Sequence, residues 1–488
     1  MSRDRERRRR GAAPRSRAST TARAGETAPL WGTGTALDPQ VLTYTADEDR
    51  AWDARLIAWD ILGSLGQVVE LRASGMLTER EARSLTSRLR AALRAARSGE
   101  LAIGLEDEDV HTAVERWLTR RDRAAGQRLH TGRSRNEQIA LDLRLYLKDR
   151  LLEVHARAAD LARALLEFAA RHRRVVWPGY THLRRAMPTT AGLWAAGYAE
   201  GLVDTLEGFP ALWAQVDRSP LGTGAGHGLP LPLDRHAAAK ALGFGALVTT
   251  APAAQNSRGK LETAALHWCA QLGHEVSRLA ADAILYGAEE YGFLVLPRAL
   301  ATGSSLMPQK RNPDVFELSR ARAAALDGDL GGVLRLKAGL SGGYHRDFQF
   351  LKEPLFRGLD RSEAMLTMMA RAVSELDVDS AKARAALEGM MATDEVMRRT
   401  EGGTPFRAAY RAVAKELAAG ATYPPPASRE ILARRTALGS PGNPGLDLLH
   451  DRLAACRRAG ARERRRFDGA MARLAGRPLP RSPGGRFQ

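Results

Sequence analysis

EQIALDLRLYLKDRLLEVHARAADLARALLEFAA, residues 137–170, runs for thirty-four positions without a glycine or proline. Apolar residues recur along it at helical spacing, and the run is longer than an ordinary globular helix needs. It therefore predicts one member of a long-helix bundle. A second such segment, residues 260–286, sets Leu261, Ala265, Trp268, Leu272, Val276, Leu279 and Ala283 at alternating steps of three and four. Those positions form one apolar stripe. A third helix is expected over 313–340, weakened where glycines cluster between Asp327 and Gly332. No succession of alternating strands occurs, so the fold class is all-α. The chain divides into a basic tail at 1–30, an N-terminal helical domain at 31–125, a central long-helix bundle domain at 126–370, and a C-terminal helical domain with a basic tail at 371–488.

Composition narrows the function classes. The 488 residues carry a formal charge of +18, but residues 1–30 hold +6 of it and residues 451–488 hold +8. The positive charge thus belongs to two ends that read as solvated tails. No finger, basic zipper or aromatic-interleaved motif accompanies the arginines, so no specific nucleic-acid partner is expected. A transit peptide is a rival reading of the first thirty residues, and Asp4 and Glu6 argue against it. Only Cys269 and Cys456 occur, which excludes a disulfide framework and favours a reducing compartment, the cytoplasm. No apolar run is long enough for a membrane span. The phosphate-loop and HExxH patterns are absent and the histidines lack metal-ligand spacing, so neither metal nor cofactor is expected. GLSGG at 339–343 fits GxSxG only formally, without the preceding strand of a nucleophile elbow.

Chemistry concentrates in three loops. LHTGRSRNEQ (129–138) offers Thr131, Arg133, Ser134, Arg135 and Asn136 at the start of the long helix, where donors suit a carboxylate; plain helix capping explains the same residues. PGYTHLRRAMP (178–188) is bracketed by prolines and sets Thr181 beside His182. ATGSSLMPQKRNP (301–313) combines Gly303, a source of unusual backbone angles, with the hydroxyls of Ser304 and Ser305 and with Lys310 and Asn312, which suit an anion. An ordinary flexible surface loop has the same composition.

Taken together, HTGRSRNEQIALDLRLYL (130–147), PGYTHLRRAMP and TGSSLMPQKRNPDVFELSR (302–320) resemble the three signature regions of the argininosuccinate lyases, within the fumarase/aspartase superfamily. DEDVHTAVERWL (107–118), PLGTGAGHGLPLPLDR (220–235), YHRDFQFLKEPLF (344–356) and TDEVMRRTEGGTPFRAAYRAV (393–413) extend the resemblance over about residues 31 to 420. It implies a fumarase/aspartase-type bundle in a homotetramer, with active sites shared between subunits, and a small-molecule dicarboxylate substrate. The family reaction is reversible anti-elimination of fumarate, which for argininosuccinate releases arginine. The resemblance further implies Ser304 as catalytic base and His182 as the traditional donor to the leaving nitrogen, or as a group orienting substrate or water. Lys310 and Asn312 would hold the carboxylate that gains charge. Thr131, Ser134, Arg135, Asn136 and Thr181 would hold the succinyl part, and Tyr344, Gln349 and Lys352 the amino-acid end. The 301–313 stretch would be a lid that delivers base and cation on closure.

Several positions depart from the family pattern. WGTGT (31–35) stands for WGGRF, and Asp47, Glu48 and Asp49 lie where a substrate-binding serine is usual. VTTAPAAQNSRGKLE (248–262) lacks the usual NSxD and RDF elements while keeping Arg258, and Arg184 and Met187 replace glutamines. These changes bear on the leaving amine rather than on the elimination. Two alternatives follow: a related C–N lyase acting on another N-substituted aspartate, and a non-catalytic structural relative.

Overall fold

A computed structural model describes residues 38–104 and 107–479; the basic residues 1–30 and the WGTGT segment lie outside the described residues. The N-terminal helices are α1 (Pro39–Asp53), α2 (Ile57–Ala73), α3 (Glu79–Arg97) and α4 (Val110–Arg121). The long-helix layer is α5 (Arg135–Arg171), α6 (Ala191–Glu207), α7 (Lys260–Gly287), α8 (Asp314–Leu336) and α9 (Lys352–Glu375). A last long helix, α10, spans Leu446–Ala475.

Helix α5 begins with a capping box: Ser134 accepts from the Asn136 amide at 3.3 Å, and Glu137 reaches back to the Ser134 amide at 3.1 Å. From Glu137 to His155 every residue is buried, which makes α5 the axis around which α2, α6, α9 and α10 pack. The stripe foreseen on α7, from Leu261 to Ala283, is buried throughout. Helix α8 differs from expectation at its glycines. Gly328, Gly331 and Gly332 pass through an unbroken helix, because α7 and α9 pack along it and outweigh the weak propensity.

Two departures concern the ends of the chain and the loops. Arginines of 451–475 are not a solvated tail. They lie on α10, where Arg464 bonds Asp149 at 2.6 Å, Arg466 bonds Asp217 at 2.7 Å, and Arg452 bonds Glu207 and Asp204. The acids were placed elsewhere in the chain, so net charge per segment misread them. Likewise PGYTHLRRAMP is a hairpin rather than a loop: β1 (Val176–Thr181) pairs antiparallel with β2 (Arg184–Thr190). The other sheets are two-residue pairings. No described helix is long and apolar enough to cross a membrane.

Candidate active site

Helix α5 separates the expected residues into two groups. At its N-terminal end stand Thr131, exposed, with Ser134, Arg135 and Asn136, each half-buried. The Arg135 guanidinium meets Glu108 at 3.0 Å and Asp109 at 3.2 Å and donates to Thr112 Oγ1 at 3.2 Å. Glu137 Oε2 accepts from the amides of Thr223 (2.7 Å) and Gly224 (2.9 Å), which seats the glycine-rich 220–228 loop against this end.

The residues expected to hold the leaving amine gather at the same end. Arg346 pairs with Glu108, the acid that also binds Arg135. Lys352 Nζ lies 2.7 Å from Asp49 Oδ1 and 2.5 Å from Asp53 Oδ1, and Gln349 donates to Asp49 Oδ2 at 2.9 Å. Tyr344 packs edge-on to Phe348, whose carbonyl accepts from Arg258 at 3.3 Å. Burial raises the Tyr344 hydroxyl above its usual range, although Arg258 and Lys352 pull the other way.

Thr181 and His182 sit beyond the C-terminal end of α5, on the hairpin. Thr181 pairs with Arg184, leaving His182 and Leu183 as a two-residue turn with φ of 53° and 56°. That is the left-handed geometry glycine or asparagine usually supplies, held here by residues with side chains. His182 is therefore presented outward at the tip, exposed.

The 301–313 stretch belongs to that second end. Helix α7 starts beside Arg258 and finishes at Tyr286, whose ring lies 5.2 Å from Trp177 and 5.9 Å from Tyr180 of β1; α8 then runs back. Between them Thr302 pairs with Asn312 and Gly303 with Arg311, which brings Ser304 and Lys310 to adjacent corners of one loop. Gly303 does not use a left-handed backbone, so the glycine is extended ladder rather than the expected pivot. Ser304 Oγ accepts from the amides of Leu306 (3.3 Å) and Met307 (3.1 Å). Leu306 is 84% exposed at the loop tip.

Thr131, Ser134, Arg135, Asn136, Tyr344, Gln349 and Lys352 thus share one end of the bundle, and Thr181, His182, Ser304, Lys310 and Asn312 the other. A 37-residue helix spans about 55 Å. One chain does not bring the two groups together. A cleft of about 510 Å³ between α2 and α3, lined by Arg72, Arg83, Arg90 and Arg94, contains none of these residues.

Residues 49–328 match a family model described as lyase. The chain is 43% identical over 425 residues to the argininosuccinate lyase of Sorangium cellulosum, covering 87% of this chain and 98% of that relative. It belongs to the argininosuccinate lyase family. A second relative, the argininosuccinate lyase of Thermotoga neapolitana, is 37% identical across 79% of this chain and 98% of its own length. Among solved structures, EDDS lyase in complex with formate aligns with a TM-score of 0.74 at 24% identity, over 90% of this chain and 95% of that one. Class II fumarase of Schistosoma mansoni aligns with a TM-score of 0.63 at 13% identity, over 74% and 87%. These two likenesses show the fold of the fumarase/aspartase superfamily.

In this argininosuccinate lyase family member a buried polar layer, missed from sequence, supports the α5 end. His111 Nδ1 meets Asp60 Oδ1 at 2.8 Å, and Gln138 donates to the same oxygen at 2.5 Å. Asp142 Oδ2 lies 3.8 Å from His111, and neither Asp142 oxygen has a hydrogen-bond partner among the described residues. Burial would raise the Asp60 carboxyl, but His111 and Arg133 hold it below its ordinary range. Burial and the Asp60 charge together push Asp142 well above that range. The three ligand atoms lie within 4.8 Å of one another, a spacing a cation could bridge. However, Gln138 already donates to Asp60 and the Arg133 charge acts on it, so Asp60 has partners of its own without a cation. The signal in the sequence was an acid inside each of two apolar helical runs, AWDILGSLG and IALDLRLYL.

Proposed function

We propose that this chain is an argininosuccinate lyase: it eliminates fumarate reversibly from L-argininosuccinate and releases L-arginine. The observation that carries the reading is its 43% identity to a named argininosuccinate lyase across 98% of that relative. The loop geometry suits the chemistry. Taking a proton from the carbon beta to the departing nitrogen pushes two electrons into the adjacent carboxylate, which becomes a dianion. The C=C bond then forms as the C–N bond breaks, and the nitrogen leaves with a proton.

A serine base must have its alkoxide stabilised. The amides of Leu306 and Met307 already aim at Ser304 Oγ. Lys310 and Asn312 take the dianionic carboxylate, and such preorganised donors are each worth about 3 kcal/mol to a transition state. Thr131, Ser134, Arg135, Asn136 and Thr181 hold the succinyl group, His182 serves the leaving nitrogen, and Tyr344, Gln349 and Lys352 take the amino-acid end.

Because the two groups of residues lie at opposite ends of α5, the site is completed between subunits of a homotetramer. Leu318 and Leu334 stand exposed on different sides of α8, which supports contact with neighbouring subunits there. Two unpaired, buried cysteines accord with a cytoplasmic enzyme. The test is release of fumarate from argininosuccinate by purified protein, followed by its ultraviolet absorbance. Unchanged absorbance rejects that substrate, and a panel of amines offered with fumarate would then identify the leaving group.

A further inference from the structure

Lys352 and Gln349, which the reading above gives to the amino-acid end of the substrate, both donate to one carboxylate of the chain itself. Asp49 Oδ1 takes Lys352 Nζ at 2.7 Å, and Asp49 Oδ2 takes Gln349 Nε2 at 2.9 Å. Lys352 has a second partner. Asp53 Oδ1 holds it at 2.5 Å, while Asp53 Oδ2 accepts from the Val110 amide at 3.2 Å. Asp53 is thus fixed on two sides, and one lysine faces two carboxylates.

One lysine against two carboxylates leaves a surplus negative charge, and Asp49 is the acid held by side chains alone. Asp49, Asp53 and Lys352 are 8%, 1% and 3% exposed, so one negative charge stands uncompensated in a poorly solvated place. Both acids also lie within the last five residues of α1, where the negative end of the helix dipole adds to the cost. A ligand that brought only a carboxylate would meet a subsite already net negative. One that brought only a cation would satisfy Asp49 but leave Gln349 without its acceptor and Lys352 with Asp53 alone. A zwitterion meets both demands.

We propose that Asp49 binds the α-ammonium group of the leaving amino acid, so that Asp49 with Lys352 and Gln349 reads an α-amino acid as a zwitterion. The internal Asp49–Lys352 pair opens as the ligand inserts: the ammonium goes to Asp49 and the carboxylate to Lys352 and Gln349, while Asp53 keeps its hold on the lysine. This rests on the substrate class proposed above and adds the residue that selects it, at a position where the family pattern has a serine.

Titration calorimetry with the full-length protein tests it, using L-arginine, 5-guanidinopentanoate (no ammonium) and agmatine (no carboxylate). Wild-type protein binds L-arginine most tightly. Asp49→Asn weakens L-arginine and agmatine about ten-fold or more, the loss of one charge-assisted contact, and leaves 5-guanidinopentanoate unchanged or tighter. That retained binding shows the variant is folded, and Asp49→Ser gives the same ranking. Equal weakening of L-arginine and 5-guanidinopentanoate would mean that Asp49 merely orients Lys352, and unchanged arginine binding would mean that it does neither; each overturns the proposal. A separate arm measures fumarate release from argininosuccinate by wild-type protein. Its failure alongside Asp49-dependent arginine binding would overturn the reaction assigned above while leaving the subsite standing.

Discussion

Ser134 and His182 stand at opposite ends of the same helix: Ser134 caps the start of α5, and His182 tips the hairpin that follows its end. The helix between them is continuous and mostly buried, which holds the two apart. On the proposed reading, the two residues serve one site only within an assembly. Charges placed at the exposed leucines of α8, as Leu318→Glu with Leu334→Glu, should yield smaller particles in sedimentation with helical circular dichroism retained and fumarate release abolished. Full activity from a monomer would contradict this.

Ser304→Ala should lower kcat by about a thousand-fold or more, and Lys310→Met by about a hundred- to thousand-fold, the scale of losing one preorganised group. Both side chains lie on an exposed loop rather than in the core. Thermal unfolding of either variant should match the wild type, and steady-state kinetics at saturating substrate separate this from a binding defect.

Glu70 gives a pH dependence with a definite sign. Its side chain is buried with no hydrogen-bond partner for either oxygen among the described residues. Burial, then repulsion from Glu137, raises its carboxyl to about 7. A carboxyl raised on folding binds its proton more tightly in the native state, so stability falls as pH rises from about 4.5 to 7 and the penalty is complete above 7. Glu70→Gln should remove that part of the slope, and its advantage over wild type, a few kcal/mol at most, should be larger at pH 8 than at pH 5. Melting curves at the two pH values decide it; an advantage independent of pH would contradict the burial argument.

At Gly460, α10 packs directly on His155 of α5. A Cβ there would lie 2.5 Å from Cε1 and 2.6 Å from Nδ1 of His155, whose ring also packs on Phe209. Gly460→Ala should cost about 1–3 kcal/mol by overpacking, read as a lower denaturation midpoint, and His155→Ala in the same chain should recover part of it.

What the sequence revealed follows from where its information is local. Helices α5 and α7 were legible because their apolar residues recur over many turns, and Ser134 with Glu137 announces a helix start in four residues. The hairpin was not legible, because its turn uses His182 and Leu183 rather than glycine or asparagine. The 327–332 glycines misled because packing from α7 and α9, not intrinsic propensity, sets that helix. Asp60, His111 and Asp142 meet from three helices, and no spacing along the chain encodes such a meeting. The same holds for Asp49 and Lys352, some three hundred residues apart. Ser304, Lys310 and Asn312 could be singled out in the sequence because one short loop carries all three.

The central claim is that Ser304 of one subunit works with Asn136 of another. Ser304→Ala and Asn136→Ala, each inactive alone, should be denatured together, refolded as mixed tetramers and assayed for fumarate release from argininosuccinate. Sites that draw both residues from unaltered segments should restore a substantial fraction of wild-type activity. Mixed tetramers as inactive as their parents would contradict the claim.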